Sequence, residues 1–203
     1  MSGIIAQNTL DNSGLIKAPE GGGAWNFISK QTASASADIS FTSGIDSTYK
    51  EYIFTFNNMH SSDTSVKFHF QANAVGGSGY NETMTTTAFG AYHKEDGSEA
   101  GLGYVAAGDQ ADGTSFQNLI SNSSLTIGND ESLSGLLHLF NPSSTTFVKH
   151  FISTTQSNVG SGYSINDYTA GYFNTTSAID DIQFKMSSGN IDSGDICLYG
   201  ISS

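Results

Sequence analysis

Apolar and polar residues alternate along most of this chain, and the alternation limits its possible folds more than any other property. A period of two is typical of a β-strand with one buried face, because successive side chains point to opposite sides. No stretch has a convincing helical period and no repeat of fixed length is found, which argues against a propeller or a solenoid. The clearest runs have their apolar residues at Tyr52, Phe54 and Phe56; Val66, Phe68, Phe70 and Ala72; Tyr168, Ala170 and Tyr172; Ile182, Phe184 and Met186; and Ile196 and Leu198.

Short segments rich in Gly, Asn and Ser separate these runs. Residues 76–79, with the sequence GGSG, predict a turn. Residues 141–144, with the sequence NPSS, stand between two apolar runs and predict a hairpin, because Pro fixes φ while Asn and Ser bond to local backbone groups. Roughly nine to eleven short strands without intervening helices predict an all-β fold, an antiparallel β-sandwich of jelly-roll type.

The first 23 residues differ from the rest of the chain. Two small apolar clusters, residues 4–5 and 15–16, are followed by Pro19 and by glycines at 21–23, which mark a break. We therefore expect residues 1–23 to form an extended N-terminal docking arm with a Gly-rich hinge, and residues 24–203 to form the β-sandwich domain. A disordered terminus is the alternative interpretation of residues 1–23.

The charge balance narrows the partners that the chain can bind. It contains 7 basic side chains, all of them Lys, against 19 acidic ones, and its net charge is −12. Binding to nucleic acid depends on neutralising phosphates with Lys and Arg, and adhesion to anionic lipid needs a basic segment. We therefore expect neither nucleic acid nor a membrane as a partner.

The single cysteine and the N-terminus bear on where the protein is made. Cys197 cannot form an internal disulfide, and its place in the last predicted strand favours a buried packing role. The chain has no apolar window of about 18 residues, and residues 1–5 do not resemble the start of a signal peptide. We expect synthesis in a cytoplasm and arrival at the final location by assembly or lysis.

Sequence motifs of catalysis are missing, including the nucleophile elbow, the P-loop, and the H-E-x-x-H and C-x-x-C metal or redox motifs. His138 and His150 lie on the two strands of the predicted hairpin, where two facing imidazoles could bind a metal; two ordinary sheet histidines are the alternative. His69 is expected on the outward face of its strand. We predict no enzymatic activity, no cofactor and no metal.

Carboxylates concentrate in the loosest part of the sequence, and loops often carry binding sites. Residues 109–113, DQADG, faintly resemble a calcium loop but lack the spacing and the terminal Glu of an EF-hand, so calcium binding stays an open question. Asp180 and Asp181 open a strand, where one of them is expected to cap a turn. Nothing in the sequence points to the paired carboxylates of a glycosidase. The loop carboxylates in question are Asp109, Asp112, Asp130 and Glu131.

Tyrosines give the one hint of a binding surface. Tyr163, Tyr168 and Tyr172 lie in a region rich in Ser, Gly and Asn, and this composition is typical of adaptable recognition loops. Ordinary strand and loop aromatics are the alternative interpretation.

Several stretches resemble a family of small virion structural proteins of marine tailed bacteriophages, and the similarity extends over nearly the whole chain. The resemblance implies a virion component on the head surface or in the tail apparatus, and it supplies no catalytic residue. At Asp195 and Cys197 an ordinary strand residue would be expected instead, so the resemblance does not place the protein more precisely within the family. The stretches are SGII (2–5) with GGAW (22–25), HLFNPSSTTFVKHF (138–151), GYFN (171–174), IQFKMSSGNI (182–191) and LYGI (198–201).

Three functions follow from these observations as hypotheses. The first is a non-enzymatic virion structural protein, either a head decoration (cement) protein or a tail-fibre-like appendage, made in the host cytoplasm and expected to form a homo-trimer with other capsid or tail proteins as partners. The second is a carbohydrate-binding module or adhesin that recognises a host surface glycan. The third, an enzyme such as a depolymerase, would need a cleft with paired carboxylates.

Overall fold

The structure, a computed structural model, describes residues 24–202 of the chain. The expected docking arm, residues 1–23, therefore lies outside the described residues. The described part consists of β-strands and a single 3₁₀ turn at Ala106–Gly108. The strands are β1 (Trp25–Ser36), β2 (Ile39–Phe41), β3 (Glu51–Ser61), β4 (Phe68–Ala74), β5 (Met84–Lys94), β6 (Ala100–Tyr104), β7 (Gln117–Asn118), β8 (Ser132–Phe140), β9 (Lys149–Val159), β10 (Tyr163–Phe173), β11 (Ile179–Met186) and β12 (Ile191–Ile201).

All strand pairs are antiparallel, and they form two sheets that pack as a sandwich, as the sequence predicts. The larger sheet has the order β1-β12-β3-β8-β9-β10-β5-β6, and the smaller has the order β2-β11-β4-β7. The first strand pairs with the last, and the second pairs with the last but one. This nesting of β1-β12-β3-β8 over β2-β11-β4-β7 is the strand order of a jelly roll.

Two hairpins enlarge the jelly roll on one side. The hairpin β5–β6 is inserted between β4 and β7, and the hairpin β9–β10 is inserted between β8 and β11. The two hairpins pair with each other through β10 and β5, so they extend the larger sheet from four strands to eight. We call the four strands β5, β6, β9 and β10 the extension, and we call the sheet side that points away from the smaller sheet the outer face.

The core lies between the jelly-roll sheets and is dense in aromatic rings. Phe184 on β11 is fully buried and lies at its centre. Its ring meets the rings of Phe54 and Phe56 from the opposite sheet, each at a centroid distance of 5.2 Å. The strand faces predicted from the alternation are confirmed here, because all of the following are buried: Tyr52, Phe54, Phe56, Val66, Phe68, Phe70, Ala72, Ile182, Phe184, Met186, Ile196 and Leu198.

The alternation predicts the wrong face for β10. Tyr168, Ala170 and Tyr172 point outward, and the inward positions between and beside them include the buried polar residues Asp167 and Thr169. The reason is that the inner face of the extension at these positions is covered by the backbone of residues 105–126, a segment that includes the edge strand β7 of the smaller sheet. This segment offers polar partners, as when the Thr169 hydroxyl donates to a carbonyl oxygen at 3.5 Å.

The predicted hairpin around residues 141–144 is confirmed, since β8 pairs with β9. Its connection, residues 141–148, is longer than a tight turn, and Asn141 adopts a positive φ of 46°. The ammonium group of Lys149 is buried under this connection and donates to the carbonyl oxygens of Phe147 at 3.0 Å and Thr175 at 3.3 Å. No local sequence pattern predicts that this lysine is buried.

Candidate binding face

The outer face of the extension carries an exposed, uncharged set of side chains. The strand register places three aromatic rings in one row across three neighbouring strands, with Tyr104 of β6 opposite Phe89 of β5 and Phe89 opposite Tyr168 of β10. The exposed fractions of these side chains are 66%, 45% and 36%. None of the outward positions of the extension is Asp, Glu or Lys. These positions are Thr85, Thr87, Phe89, Ala91, His93, Ala100, Leu102, Tyr104, His150, Ile152, Thr154, Gln156, Asn158, Ser164, Asn166, Tyr168, Ala170 and Tyr172.

The aromatic row is partly self-packed. The rings of Phe89 and Tyr168 stack with centroids 4.8 Å apart and planes only 5° from parallel. Cross-strand aromatic pairs of this kind stabilise a sheet by roughly 0.2–1 kcal/mol each. Because each ring covers one side of the other, the pair presents ring edges to solvent and forms a ridge. It does not offer a flat surface.

A shallow depression lies beside this ridge. Its volume is about 500 Å³, and it is an opening on the outer face at β5, β9 and β10. Ala170 occupies its middle, between the ridge residue Tyr168 and the side chain of Tyr172, which stand about 13 Å apart on β10 at ~3.3 Å per residue. Hydroxyl groups and one imidazole border it. The lining residues are Thr85, Thr86, Thr87, His150, Phe151, Ile152, Ala170, Gly171 and Tyr172.

The structure separates the three tyrosines that the sequence singles out. Tyr168 and Tyr172 share the outer face and border the depression, so they belong to the candidate face. Tyr163 has inward register and lies at the end of the sandwich, where its hydroxyl donates to Glu99 at 2.7 Å and its ring meets Tyr92 at 6.0 Å. All three stand on strand β10 and not on a loop. The strand predicted at Tyr168 and Tyr172 is confirmed, and the loop-like composition of this region therefore belongs to a strand.

The two hairpin histidines lie on the same outer face, two positions apart across the β8–β9 pair. Each has a partner of its own. The Nδ1 atom of His138 is hydrogen-bonded to the carboxylate of Glu51, and the ring of His150 lies 6.0 Å from that of Tyr172. His69 is flanked by Asn118 of β7, and burial lowers its pKa below the usual value. Among residues 24–202, no group of three or more His, Cys, Asp or Glu side chains is placed to hold a metal ion.

The loop carboxylates are dispersed by the fold. Asp112 accepts hydrogen bonds from the hydroxyl of Thr85 and the amide of Asn174, both at 3.2 Å, while Asp109 accepts from the Tyr104 hydroxyl. Both residues therefore anchor loops to the rim of the extension. The remaining pair, Asp130 and Glu131, lies near the opposite end of β9, where Asn158 donates to the Asp130 carbonyl at 3.1 Å and Thr126 donates to the Glu131 carboxylate.

Asp180 and Asp181 coincide with a register shift of β11. The shift falls between Ile179 and Asp181, and Asp181 accepts a hydrogen bond from Asn73 on β4 at 3.4 Å. Burial raises the pKa of Asp180 above its usual range, and the neighbouring Asp181 raises it further. Cys197 is buried, as the sequence predicts, on the outer side of β12.

Two ionisable residues beneath the extension, the buried Asp167 and the half-buried Lys67, were not found from the sequence. Asp167 is 2% exposed, and its Oδ1 atom accepts the backbone N–H of Asn122 at 3.0 Å, whereas its Oδ2 atom has no hydrogen-bond partner among the described residues. Lys67 donates to the carbonyl oxygens of Ser121 and Ser123. Burial raises the pKa of Asp167 and lowers the pKa of Lys67. These two residues fasten the segment 105–126 beneath the extension.

A second depression, of about 410 Å³, is polar and lies where β3, β8 and β12 meet the loop before β8. His60 stands in it, with Nδ1 at 3.5 Å from the Asp192 carboxylate and Nε2 at 3.0 Å from the Gly128 carbonyl oxygen. Because both ring nitrogens face an oxygen acceptor, His60 has no free nitrogen with which to activate a nucleophile. Its contacts tie the loop to β12.

No helix in residues 24–202 is long and apolar enough to cross a membrane. Comparison with protein-family models, with curated proteins and with solved structures finds no match for this chain.

Proposed function

We propose that this chain is a non-enzymatic structural protein of a tailed-bacteriophage particle, either a head decoration protein or a tail-fibre-like appendage, that acts through protein–protein assembly. The observation that carries the proposal is the outer face of the extension, where exposed aromatic and aliphatic side chains lie together without a charged neighbour at any outward position. Monomers seldom leave such patches uncovered, and larger ones mark interaction sites.

The composition of this face supports a protein partner. Interface centres are depleted in charged residues and enriched in aromatic ones. The chain has 19 acidic residues against 7 basic ones, and yet none of them projects from the outward positions of the extension. A net charge of −12 would repel neighbouring copies in a dense array. An uncharged contact face lowers that repulsion where copies meet.

The jelly-roll strand order is compatible with this role, since double-sheet jelly rolls build viral capsid domains. They also build lectins and cupins, so the fold alone does not select a function. In the proposed assembly the protein is made in the host cytoplasm, joins other capsid or tail proteins on the virion, and forms a homo-trimer. Residues 1–23 serve as the docking arm, so a chain without residues 2–23 is expected to fold and to fail in assembly.

Binding to undecorated phage heads and to tail preparations tests the role of the face. Ile152 lies on it with 48% exposure, and Ile127, with 55% exposure, lies in a loop outside the extension. We expect Ile152→Glu to weaken binding at least tenfold, because it places a carboxylate in an apolar contact, and Ile127→Glu to leave binding unchanged. Equal effects of the two variants, or saturable binding by Ile152→Glu at the wild-type ratio, would refute the proposal for this face.

Recognition of a host glycan is the second candidate, and the depression favours it. The accessible lining of the depression is almost entirely apolar, and the ring of Tyr172 lies in it beside the imidazole of His150, so a sugar would be held there chiefly through the apolar face of its ring. Tyr172→Ala separates the candidates. If it abolishes binding to immobilised host polysaccharide and leaves particle binding intact, the depression is a glycan site. If polysaccharide is bound by neither protein, the second candidate fails.

A further inference from the structure

The two sheets end in four edge strands, of which three are protected against pairing with another chain. The edge strands β2 and β7 of the smaller sheet are only three and two residues long. The edge strand β1 has a register shift between Phe27 and Ser29 and carries Lys30. Short length, bulges and lysines are the devices by which natural sheets prevent edge-to-edge association.

The fourth edge, β6, has none of these devices. Its sequence AGLGY contains no charge and no proline, and its register with β5 is continuous. Leu102 is 76% exposed and Tyr104 is 66% exposed. Among residues 24–202 no other strand pairs with the open side of β6, so this edge offers a row of unpaired backbone groups beside exposed apolar side chains.

The hydrogen-bond pattern identifies which backbone groups of β6 are free. Lys94 N–H donates to the Glu99 carbonyl and Val105 N–H donates to the Ala88 carbonyl, both at 2.9 Å. In an antiparallel ladder, bonded positions alternate. Residues 99, 101, 103 and 105 therefore bond to β5, and the N–H and C=O groups of Ala100, Leu102 and Tyr104 point away from it, toward the open edge.

We propose that β6 pairs with β6 of a second copy of this chain, antiparallel and around a two-fold axis at Leu102. In this register Leu102 faces Leu102 of the other copy, and Tyr104 faces Ala100. The large ring of Tyr104 therefore lies opposite a single methyl group. The three free residues of each copy supply about six hydrogen bonds in total, because each has one donor and one acceptor. The two outer faces then join into one surface.

Charge decides in favour of the antiparallel, two-fold arrangement. Acidic residues Glu95, Asp96 and Glu99 lie in the turn at the start of β6. With Leu102 on the axis, the two Glu99 residues lie about 20 Å apart along the strands, at ~3.4 Å per residue, which exceeds the screening length of ~8 Å at physiological salt. Parallel pairing would place the two acidic turns side by side, about 5 Å apart, where they would repel each other.

The edge contact is made by the backbone of β6, although the side chains of Leu102 and Tyr104 also belong to the binding face, and the proposal goes beyond the proposed function. It predicts a dimer, or an even-numbered assembly if other contacts add copies, and so it competes with the trimer expected from the sequence. Ile152 on β9 is three strands away from β6, so the Ile152→Glu variant tests the face and leaves the edge unaltered.

Leu102→Pro tests the edge, because proline removes the outward N–H of residue 102 while positions 101 and 103 keep the bonds to β5. Leu102→Ala is the matched control, since it keeps the N–H. At about 100 µM we expect light scattering to give an even multiple of the 21.4 kDa chain for the wild type, half that mass for Leu102→Pro, and a mass near the wild-type value for Leu102→Ala. A monomeric or odd-numbered wild-type protein would overturn the proposal.

Hydrogen exchange of the wild-type protein provides a measurement that does not depend on the folding of a variant. The amides of Ala100, Leu102 and Tyr104 are expected to exchange slowly in the associated state and at least tenfold faster after dilution to the monomer. Fast exchange in the associated state would show that copies meet elsewhere. Slow exchange that persists in the monomer would mean that another segment of the same chain covers β6, and it would also overturn the proposal.

Discussion

Replacement of Phe184 by alanine is expected to destabilise the protein more than any other single change to the core. The ring is fully buried, and five aromatic rings surround it at centroid distances from 5.2 to 6.3 Å. Removing a buried Phe costs about 3–5 kcal/mol, and the cost rises where the neighbours cannot move into the cavity. Rigid rings that are anchored on three strands, from both sheets, relax little, so we expect about 4–5 kcal/mol.

Urea denaturation of the wild type and the variant, followed by circular dichroism, measures this cost. For a chain of this size the same loss corresponds to a melting temperature lower by about 8–20 °C. Phe184→Leu should lose less, about 1–2 kcal/mol, because it keeps most of the apolar volume. Phe147→Ala is the control, since its side chain is 68% exposed and should change stability by less than about 0.5 kcal/mol. Similar losses for Phe184→Ala and Phe147→Ala would refute the placement of Phe184 at the centre of the core.

Three further predictions follow from the buried polar groups and the strained backbone. Burial raises the pKa of Asp167, so its contribution to stability is complete below the unfolded-state pKa and is lost as pH rises through the folded-state pKa. Asn does not titrate, so the unfolding free energy of Asp167→Asn minus that of the wild type should decrease as the pH is lowered from 7 to 4. Denaturation curves measure this difference, and a difference that does not change with pH would contradict the prediction. Gly194 has φ of +122°, and a Cβ there would lie 2.8 Å from the Asn58 carbonyl oxygen, so Gly194→Ala should lower the unfolding free energy by about 2–4 kcal/mol. The control is Gly103→Ala, which should cost less than about 0.5 kcal/mol because the space around Gly103 is open. Lys149→Met should lose about 1–3 kcal/mol, because it leaves two carbonyl oxygens without their donor, and the thermal midpoint reports the loss.

The jelly-roll part of the fold could be predicted from the sequence because its strands are buried on one face by a purely apolar core. Ile182 and Phe184, for example, are buried and alternate with half-buried polar residues because the opposite sheet packs against only their side of β11. The extension breaks this rule. Its inner face meets a backbone segment, so Thr155, whose hydroxyl donates to the Leu119 carbonyl at 2.6 Å, is as well accommodated inside as a valine would be.

The candidate binding face could be predicted only in part. The tyrosine-rich composition of β10 indicates Tyr168 and Tyr172, but the ring that stacks on Tyr168 belongs to Phe89, which is 79 residues away in the chain. The register between the two inserted hairpins is set by the pairing of β5 with β10, and it cannot be predicted from the sequence pattern of either strand alone. The free edge of β6 escaped the sequence interpretation for the same reason, since a strand becomes an edge only through the order of the sheet.

The nesting of the first strand against the last has a kinetic consequence. Because β12 lies between β1 and β3, β1 has no neighbour in the larger sheet until β12 has been synthesised, and β3 is paired only with β8 until then. Such long-range closure slows folding to milliseconds or longer and leaves apolar strands exposed in the meantime. The only tryptophan, Trp25, packs against Tyr199 of β12 at a ring distance of 5.4 Å. Its fluorescence therefore reports the closing of the sheet directly, as a built-in probe for a refolding experiment.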